Sequence, residues 1–470
     1  ILNLGLNDEV VATMIAGNDD PAFERFVYDS YRRFIQMFSD VVMEVGKKYF
    51  EQLIDKMKEA KGVQYDVELT AADLKELAHQ FKDEYKKHLG DMAYLILFLL
   101  ITFDKMLGTT MIGSRYPEII KMSLRGLLAF YLFYKLWNGP KSKKWELVLY
   151  LAIILVSAIA WRRTGNIELL EVAFLIIGAR DVDFSKILRV YLIVTVPILV
   201  GTVVGSQLGI VENLIYHRGQ TPRAAFGFIY PTDFVANIFY IVLVWCVLRN
   251  VALRYCELAF IVLLAVFAYV FCEARMNVLC LTLAAVSFLV LKKWNSTGKF
   301  RKKAEIESGV SLLLIWGSVF CAFLMVFFSY FYRPDSVFWQ KMNAFLTERL
   351  FYGHRGFEEF GVTLFGQKLP IRGMGGTTEL IEDYFFLDSS YVKILLEYGI
   401  VLFVMVLAMF IFDAYKLRQR RQYYMLVALV LLFVQCTMEH HMLEIAYNPF
   451  LFLVFSDYTS NYTLKLKKNE

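Results

Sequence analysis

The chain has 470 residues, 57% of them hydrophobic and 16% aromatic. Soluble domains average about 45–50% apolar, so this composition excludes an ordinary water-soluble globule and calls for lipid as solvent. The net charge of +5 hides a split: residues 1–88 carry 12 Lys/Arg against 17 Asp/Glu, about −5, and the other 382 carry 38 against 28, about +10.

Residues 1–88 read as amphipathic helices over 23–45, 48–61 and from Thr70 onward. Thr70 is the expected N-cap, with Asp73 three residues on and Leu74, Leu77, Ala78 and Phe81 repeating at helical spacing. A small soluble helical bundle is predicted. ILNLGLNDEV, RFVYDSYRRFIQMFSDVVMEV and ELTAADLKELAHQFKDEYKK resemble the helical subdomain in the nucleotide-binding part of pyruvate, phosphate dikinase. That family works with a complete ATP-binding domain, a phosphohistidine domain and a pyruvate barrel. The rest of this sequence resembles none of them, so no dikinase activity is expected. Such a fragment before a first membrane helix reads as a chimera carrying a fusion scaffold, with a natural regulatory domain as the alternative.

The first long apolar run opens only near Met92, so insertion is expected from an internal helix rather than a cleaved leader. Runs of membrane-spanning length then recur over 92–108, 117–137, 145–161, 166–179, 187–210, 230–248, 255–272, 276–291, 309–331, 386–412, 423–438 and 443–455, about a dozen spans. The run 166–179 is short and carries Glu168 and Glu171, as a tilted or re-entrant segment would. The expected class is all-α: a polytopic membrane domain over 89–457 with one large extracytoplasmic loop, 332–385, and a cytoplasmic tail, 458–470. The six cysteines lie scattered in apolar runs and read as small buried hydrophobes.

Lys/Arg bias fixes orientation. Lys141, Lys143 and Lys144, then Arg180, Lys186 and Arg189, Arg249 and Arg254, 292–303, 416–421, and Lys465, Lys467 and Lys468 fall on one side of successive spans. Both termini are therefore expected in the cytoplasm. The opposite face nevertheless keeps Arg162, Arg163, His217, Arg218, Arg223, Arg275, Arg333, Arg349, His354, Arg355, Arg372, His440 and His441. An outward basic pocket suits a phosphorylated or pyrophosphorylated partner, which arginine grips bidentately; ordinary solvated loop charge is the alternative for any one of them.

Loop 332–385 is far longer than a connection needs. FLTERLFYG reads as a short helix ending at Gly353, and IRGMGG as a hinge-like lid. FGFIYPTDF, ERL with FGQ beyond it, LDSSYVKILLEYGI and AYNPFL, in that order, resemble the Wzy-type bacterial polysaccharide polymerases of the O-antigen polymerase and ligase superfamily over residues 89–457. The resemblance implies a GT-C-like glycosyltransferase in the bacterial cytoplasmic membrane, inverting, metal-independent and without a cofactor. A glycan on undecaprenyl pyrophosphate would pass to the hydroxyl of a new lipid-linked repeat unit on the outer face. The implied partners are those lipid-linked glycans, the bilayer, and a chain-length regulator and flippase of the same pathway. A ligase moving the glycan to another acceptor is the runner-up, and a flippase or transporter a third reading.

Arg349 takes the place of the superfamily's Arg-Leu pair and is expected to hold pyrophosphate. Asp388, Ser389 and Gly399 take the places of the ligases' His, Asn/Ser/Gln and Gly. Asp388 is then a base or acceptor-orienting group, or a helix cap. Tyr391 offers a hydroxyl or stacking face to a sugar, or is an interfacial aromatic. Arg275 is a substrate ligand or a local partner of Glu273. Arg218 and Arg223 suit a second phosphate or the acceptor's lipid head, Arg162, Arg163, His354, Arg355 and Arg372 are further outer candidates, and Asp233 is expected to pair with one of the arginines. Glu439, His440, His441 and Glu444 lack the zinc HExxH spacing and read as a solvated outer turn, so no metal is expected. No Walker, Rossmann or serine-elbow pattern occurs, and nucleic-acid binding has no support.

Overall fold

The computed structural model describes residues 6–18, 20–41, 47–113, 116–138, 143–296, 314–379 and 382–458. Lys141, residues 297–303, the start of the 309–331 run and nearly all of the 458–470 tail lie outside them. The chain divides into two compact units, Ile1–Tyr94 and Leu95–Glu470, with the boundary inside one helix.

In the first unit, α1 (Asp8–Ala16), α2 (Pro21–Val41), α3 (Lys48–Lys61) and the start of α4 (Ala71–Gly108) surround a core that includes Val27, Phe50, Leu74, Leu77 and Phe81. Helix α3 forms as its periodicity predicts; α1, capped by Asn7, was not anticipated. Thr70 caps α4 reciprocally with Asp73: the Thr70 amide and hydroxyl donate to the Asp73 carboxylate at 3.0 and 2.7 Å, and the Asp73 amide donates back at 3.3 Å. Thr70→Ala is expected to cost about 1 kcal/mol. Hydrogen exchange of the full chain should show this as about five-fold faster exchange in the first turn of α4.

The second unit continues with α5 (Glu118–Asn138), α6 (Lys144–Thr164), α7 (Glu168–Gly178), α8 (Phe184–Gln207), α9 (Pro231–Arg249), α10 (Tyr255–Cys272) and α11 (Arg275–Ser296). Then come α12 (Gly317–Tyr330), α13 (Val337–Phe345), α14 (Arg349–Phe360), α15 (Ser390–Lys393), α16 (Gly399–Gln419) and α17 (Tyr423–Met438). Among the described residues, six helices are long and apolar enough to cross a membrane, and two shorter apolar ones accompany them. Their outward faces keep large apolar side chains bare, with Leu151 66%, Leu263 64% and Phe320 61% exposed. Faces of that kind are stable only against lipid or a partner.

The structure departs from the sequence reading in five places. The fold is mostly helical but not all-α: β1 (Ile215–Arg218) and β2 (Thr221–Ala224) form an antiparallel hairpin, closed through Gly219 at φ +61°. The short 166–179 run is an eleven-residue helix, α7, whose buried Glu171 is met by Lys105 at 3.1 Å and Arg125 at 3.9 Å. The 443–455 run is not a regular helix: 3₁₀ turns His441–Leu443 and Pro449–Leu453 stand at and within it, mostly buried. Its irregular backbone is satisfied inside the protein: the Tyr191 hydroxyl donates to the carbonyls of Ala446 and Tyr447 at 3.1 and 2.7 Å, and the Asn448 amide donates to Met442 at 2.7 Å.

The fourth departure sets up the site. FLTERLFYG does not end a helix at Gly353. The chain breaks at Thr347 and Glu348, both left-handed at φ +51° and +67°, and α14 begins at Arg349. Gly353 and Gly356 are mid-helix instead. A Cβ at Gly353 would lie 2.6 Å from the Ser329 hydroxyl, and one at Gly356 would lie 2.8 Å from Leu396, so these glycines let α14 approach its neighbours. The IRGMGG segment is tied down rather than hinged. Arg372 bridges Phe385, the Gly376 amide donates to Ile229 at 2.9 Å, and the Tyr216 hydroxyl donates to Met374 at 3.1 Å.

Between α15 and α16 the helix widens into a π turn, Ile394–Tyr398. Gln367 from the loop takes up the carbonyls there, its amide donating to Glu397 at 2.8 Å and its side chain to Leu396 at 3.2 Å. The FGQ glycine, Gly366 at φ +89°, meets Gly399 at φ +90°, where a Cβ would fall 2.4 Å from the Gly366 nitrogen and 2.7 Å from the Leu364 oxygen. Gly399→Ala should therefore cost at least about 1–3 kcal/mol from the backbone conformation alone. A clear fall in Tm of the detergent-solubilised protein checks this.

Candidate active site

Several connections of the second unit meet one another and bring sequence-predicted cations with them. Thr110 bridges Phe228 and Arg218 donates to the Glu273 carbonyl at 3.3 Å, while Arg349 Nε donates to the Met438 carbonyl at 2.5 Å. A second set joins Asp183 to Asp457 and Arg420 to Asp457 at 3.5 Å.

Arg349 sits at the centre of the first set because the break at Thr347–Glu348 makes it the first residue of α14. Its guanidinium is buried. Nη2 lies 3.4 Å from Glu439 Oε1, Nε lies 3.8 Å from Asp388 Oδ2, and Nη1 donates to the Leu346 carbonyl at 3.3 Å and to the Thr347 hydroxyl. Glu439, only 2% exposed, is held further by the Asn277 amide at 3.0 Å. Asn277 in turn accepts from Gln435 at 3.3 Å, and Gln435 accepts from Tyr240 at 2.9 Å. This chain of buried donors and acceptors fixes the carboxylate that fixes the arginine. Burial pushes the Glu439 carboxyl up from the usual carboxylate range, against the pull of Arg349 and His441.

Beside this pair lies a small cleft lined by Arg218, Arg275, Arg349, Asn277, Thr347 and Glu439. Three arginines thus reach it from β1, from the start of α11 and from the start of α14. Burial, then the nearby Arg223, lower the Arg218 pKa, with Glu273 opposing them. Arg275 also pairs with Glu273, so its local ion pair and its place on the cleft coexist. Arg223 is buried behind the cleft, its Nε donating to the Cys272 carbonyl at 2.9 Å and its guanidinium over the Tyr230 ring.

Asp388 keeps 30% of its side chain open. The cap of α15 is Ser389, so capping is not the role of Asp388. Half-buried Tyr352 and Tyr384 stand edge to face at 5.1 Å; burial, and then Asp388, push the Tyr384 phenol up.

Several predicted residues lie elsewhere. Tyr391 is fully buried and its hydroxyl donates to the Phe433 carbonyl at 3.0 Å; packing inside the bundle rules out both a sugar contact and an interfacial place. Arg162 and Arg163 are exposed in the last turn of α6, where cations suit the helix dipole, and no described contact joins them to Arg349. Arg355 pairs with Glu359 at 2.6 Å and His354 with Glu358 at 3.3 Å along α14, and exposed Arg372 holds the loop through its backbone. Asp233 pairs not with an arginine but with His441, at 3.8 Å.

The reading of residues 439–444 as a solvated turn is overturned. After α17 the chain turns inward, burying Glu439 and His441 and half-burying His440 and Glu444. Burial holds His440 well below the ordinary histidine value, whereas Glu444, Asp233 and Glu439 overcome burial at His441 and raise it. A turn after an apolar helix gives no sequence sign of which way it folds, so Glu439 and His441 were misplaced and Asn277 was missed.

No protein-family model and no solved structure matches the chain. Part of the chain is related to pyruvate, phosphate dikinase. It is 44% identical over 142 residues to the enzyme of Clostridium symbiosum, 30% of this chain and 13% of that one. It is 52% identical over 91 residues to the chloroplastic enzyme of Mesembryanthemum crystallinum, 19% and 9%. With the chloroplastic enzyme 1 of Arabidopsis thaliana it shares 51% over 146 residues, 31% and 12%. The chain spans about a tenth of these relatives' length, and their names describe a dikinase, not a glycosyltransferase.

Proposed function

We propose that the second unit is a polysaccharide polymerase of the Wzy type, joining undecaprenyl-pyrophosphate-linked repeat units on the outer face of the bacterial cytoplasmic membrane. The observation that carries this reading is buried Arg349, with Arg218 and Arg275 on one cleft and half-open Asp388 beside its Nε. A planar guanidinium anchored on its protein side suits a pyrophosphate presented from the cleft. In the proposed step the acceptor hydroxyl attacks the anomeric carbon of the donor glycan and gives its proton to Asp388. The bond from that carbon to the pyrophosphate oxygen breaks, its electron pair staying on the leaving group, whose charge the arginines meet. Attack opposite the leaving group inverts the anomeric centre.

The chain would make twelve passes with both termini cytoplasmic, the last in the buried 3₁₀ turns. Connections that would share a side in such a path touch one another, Thr110 with Phe228 and Asp183 with Asp457, which supports it. The first unit adds no group to this chemistry and fits a fused scaffold.

Reconstitution into liposomes with a purified lipid-linked repeat unit tests the reading. One undecaprenyl pyrophosphate should be released per new linkage, with inverted anomeric configuration. Release without a new linkage, or retained configuration, would contradict it.

A further inference from the structure

Glu439 turns one oxygen, Oε1, toward Arg349 and the other, Oε2, toward His441. His441 is 1% exposed, and its Nε2 has no hydrogen-bond partner. Asp233 Oδ1 lies 3.8 Å from that nitrogen and Glu439 Oε2 lies 3.9 Å from it, both too far for a hydrogen bond. One donor atom each from Glu439, His440 and His441 lies within 4.8 Å of the others, and His440 Nδ1 is likewise unpartnered. A buried imidazole nitrogen left unpaired between two carboxylates is costly unless something fills the gap.

We propose that Asp233, Glu439 and His441 bind one divalent cation of the zinc class, with His440 at hand as a fourth ligand. Ligand atoms about 2.0–2.2 Å from a tetrahedral ion stand roughly 3.4 Å apart, so contacts of 3.8 and 3.9 Å need close by only about half an ångström. One imidazole nitrogen with carboxylate oxygens is a borderline donor set, suited to zinc rather than to calcium or magnesium.

The outer shell has the form such sites require. His441 Nδ1 is held by Glu444 at 3.0 Å, which directs Nε2 inward, and the ring stacks on Tyr447 at 3.7 Å. The other oxygen of Glu439 is held by Asn277 and Arg349, so one carboxylate faces the arginine with one oxygen and the ion with the other. The ligands come from the start of α9 and from the turn after α17. The ion would therefore clamp the 3₁₀ stretch to the bundle and brace Arg349 through Glu439, touching no substrate.

The full chain, purified in detergent, stripped with EDTA and dialysed against zinc chloride, should retain about one zinc per chain by mass spectrometry and melt at a higher temperature than the stripped form. Asp233→Asn and His441→Ala should each lose the retained zinc and the thermal shift. X-ray absorption of the wild-type protein, which needs no variant to fold, should show nitrogen and oxygen neighbours at about 2.0–2.1 Å. No retained zinc, zinc unchanged in His441→Ala, or sulfur in the first shell would overturn the site. None of these readouts depends on glycosyl transfer.

Discussion

Arg349→Lys is expected to lower glycan chain growth by about 10²–10³-fold while the protein still inserts and folds, because one donor to a developing anion contributes about that much. Lysine keeps the charge beside Glu439 but loses the fork that spans Nε, Nη1 and Nη2 and reaches Met438, Leu346 and Glu439 together. Arg349→Ala should abolish growth. It also strands Glu439 as a buried charge, a loss of about 3–5 kcal/mol when one partner of such a pair is removed, so the lysine variant gives the cleaner reading. A lysine variant polymerising at the wild-type rate would remove Arg349 from the site.

Asp388→Asn should reduce chain growth by about 10²–10⁴-fold, the range a general base supplies. The change is isosteric, half-exposed and outside the cap of α15, so the Tm should scarcely move. Loss of rate at unchanged Tm distinguishes a chemical role from a structural one. Wild-type growth in Asp388→Asn would exclude Asp388 as the base.

What could be read from sequence was whatever a short stretch settles by itself. Helix Lys48–Lys61 and the Thr70–Asp73 cap depend on residues three and four apart, and both form. The resemblance located Arg349, yet nothing local foretold two successive left-handed residues, Thr347 and Glu348, that make it the first residue of a helix. Tyr391 was misplaced because an apolar helix looks alike on its lipid and protein faces; only packing against Phe433 decides. Asp233 was expected to meet an arginine because the arginines are nearer in the chain, and its partner His441 comes from more than two hundred residues away. The run 443–455 has the composition of a span but is buried inside the protein, where side-chain donors replace helical hydrogen bonds.

The purified full chain in liposomes, given a lipid-linked repeat unit and no nucleotide, is the most direct test of glycosyl transfer by the second unit. Electrophoresis of the glycans should show a ladder of chains rising in steps of one repeat unit, absent in Asp388→Asn. Substrate recovered at its original length, or carried across the bilayer with no new glycosidic bond, would contradict a polymerase.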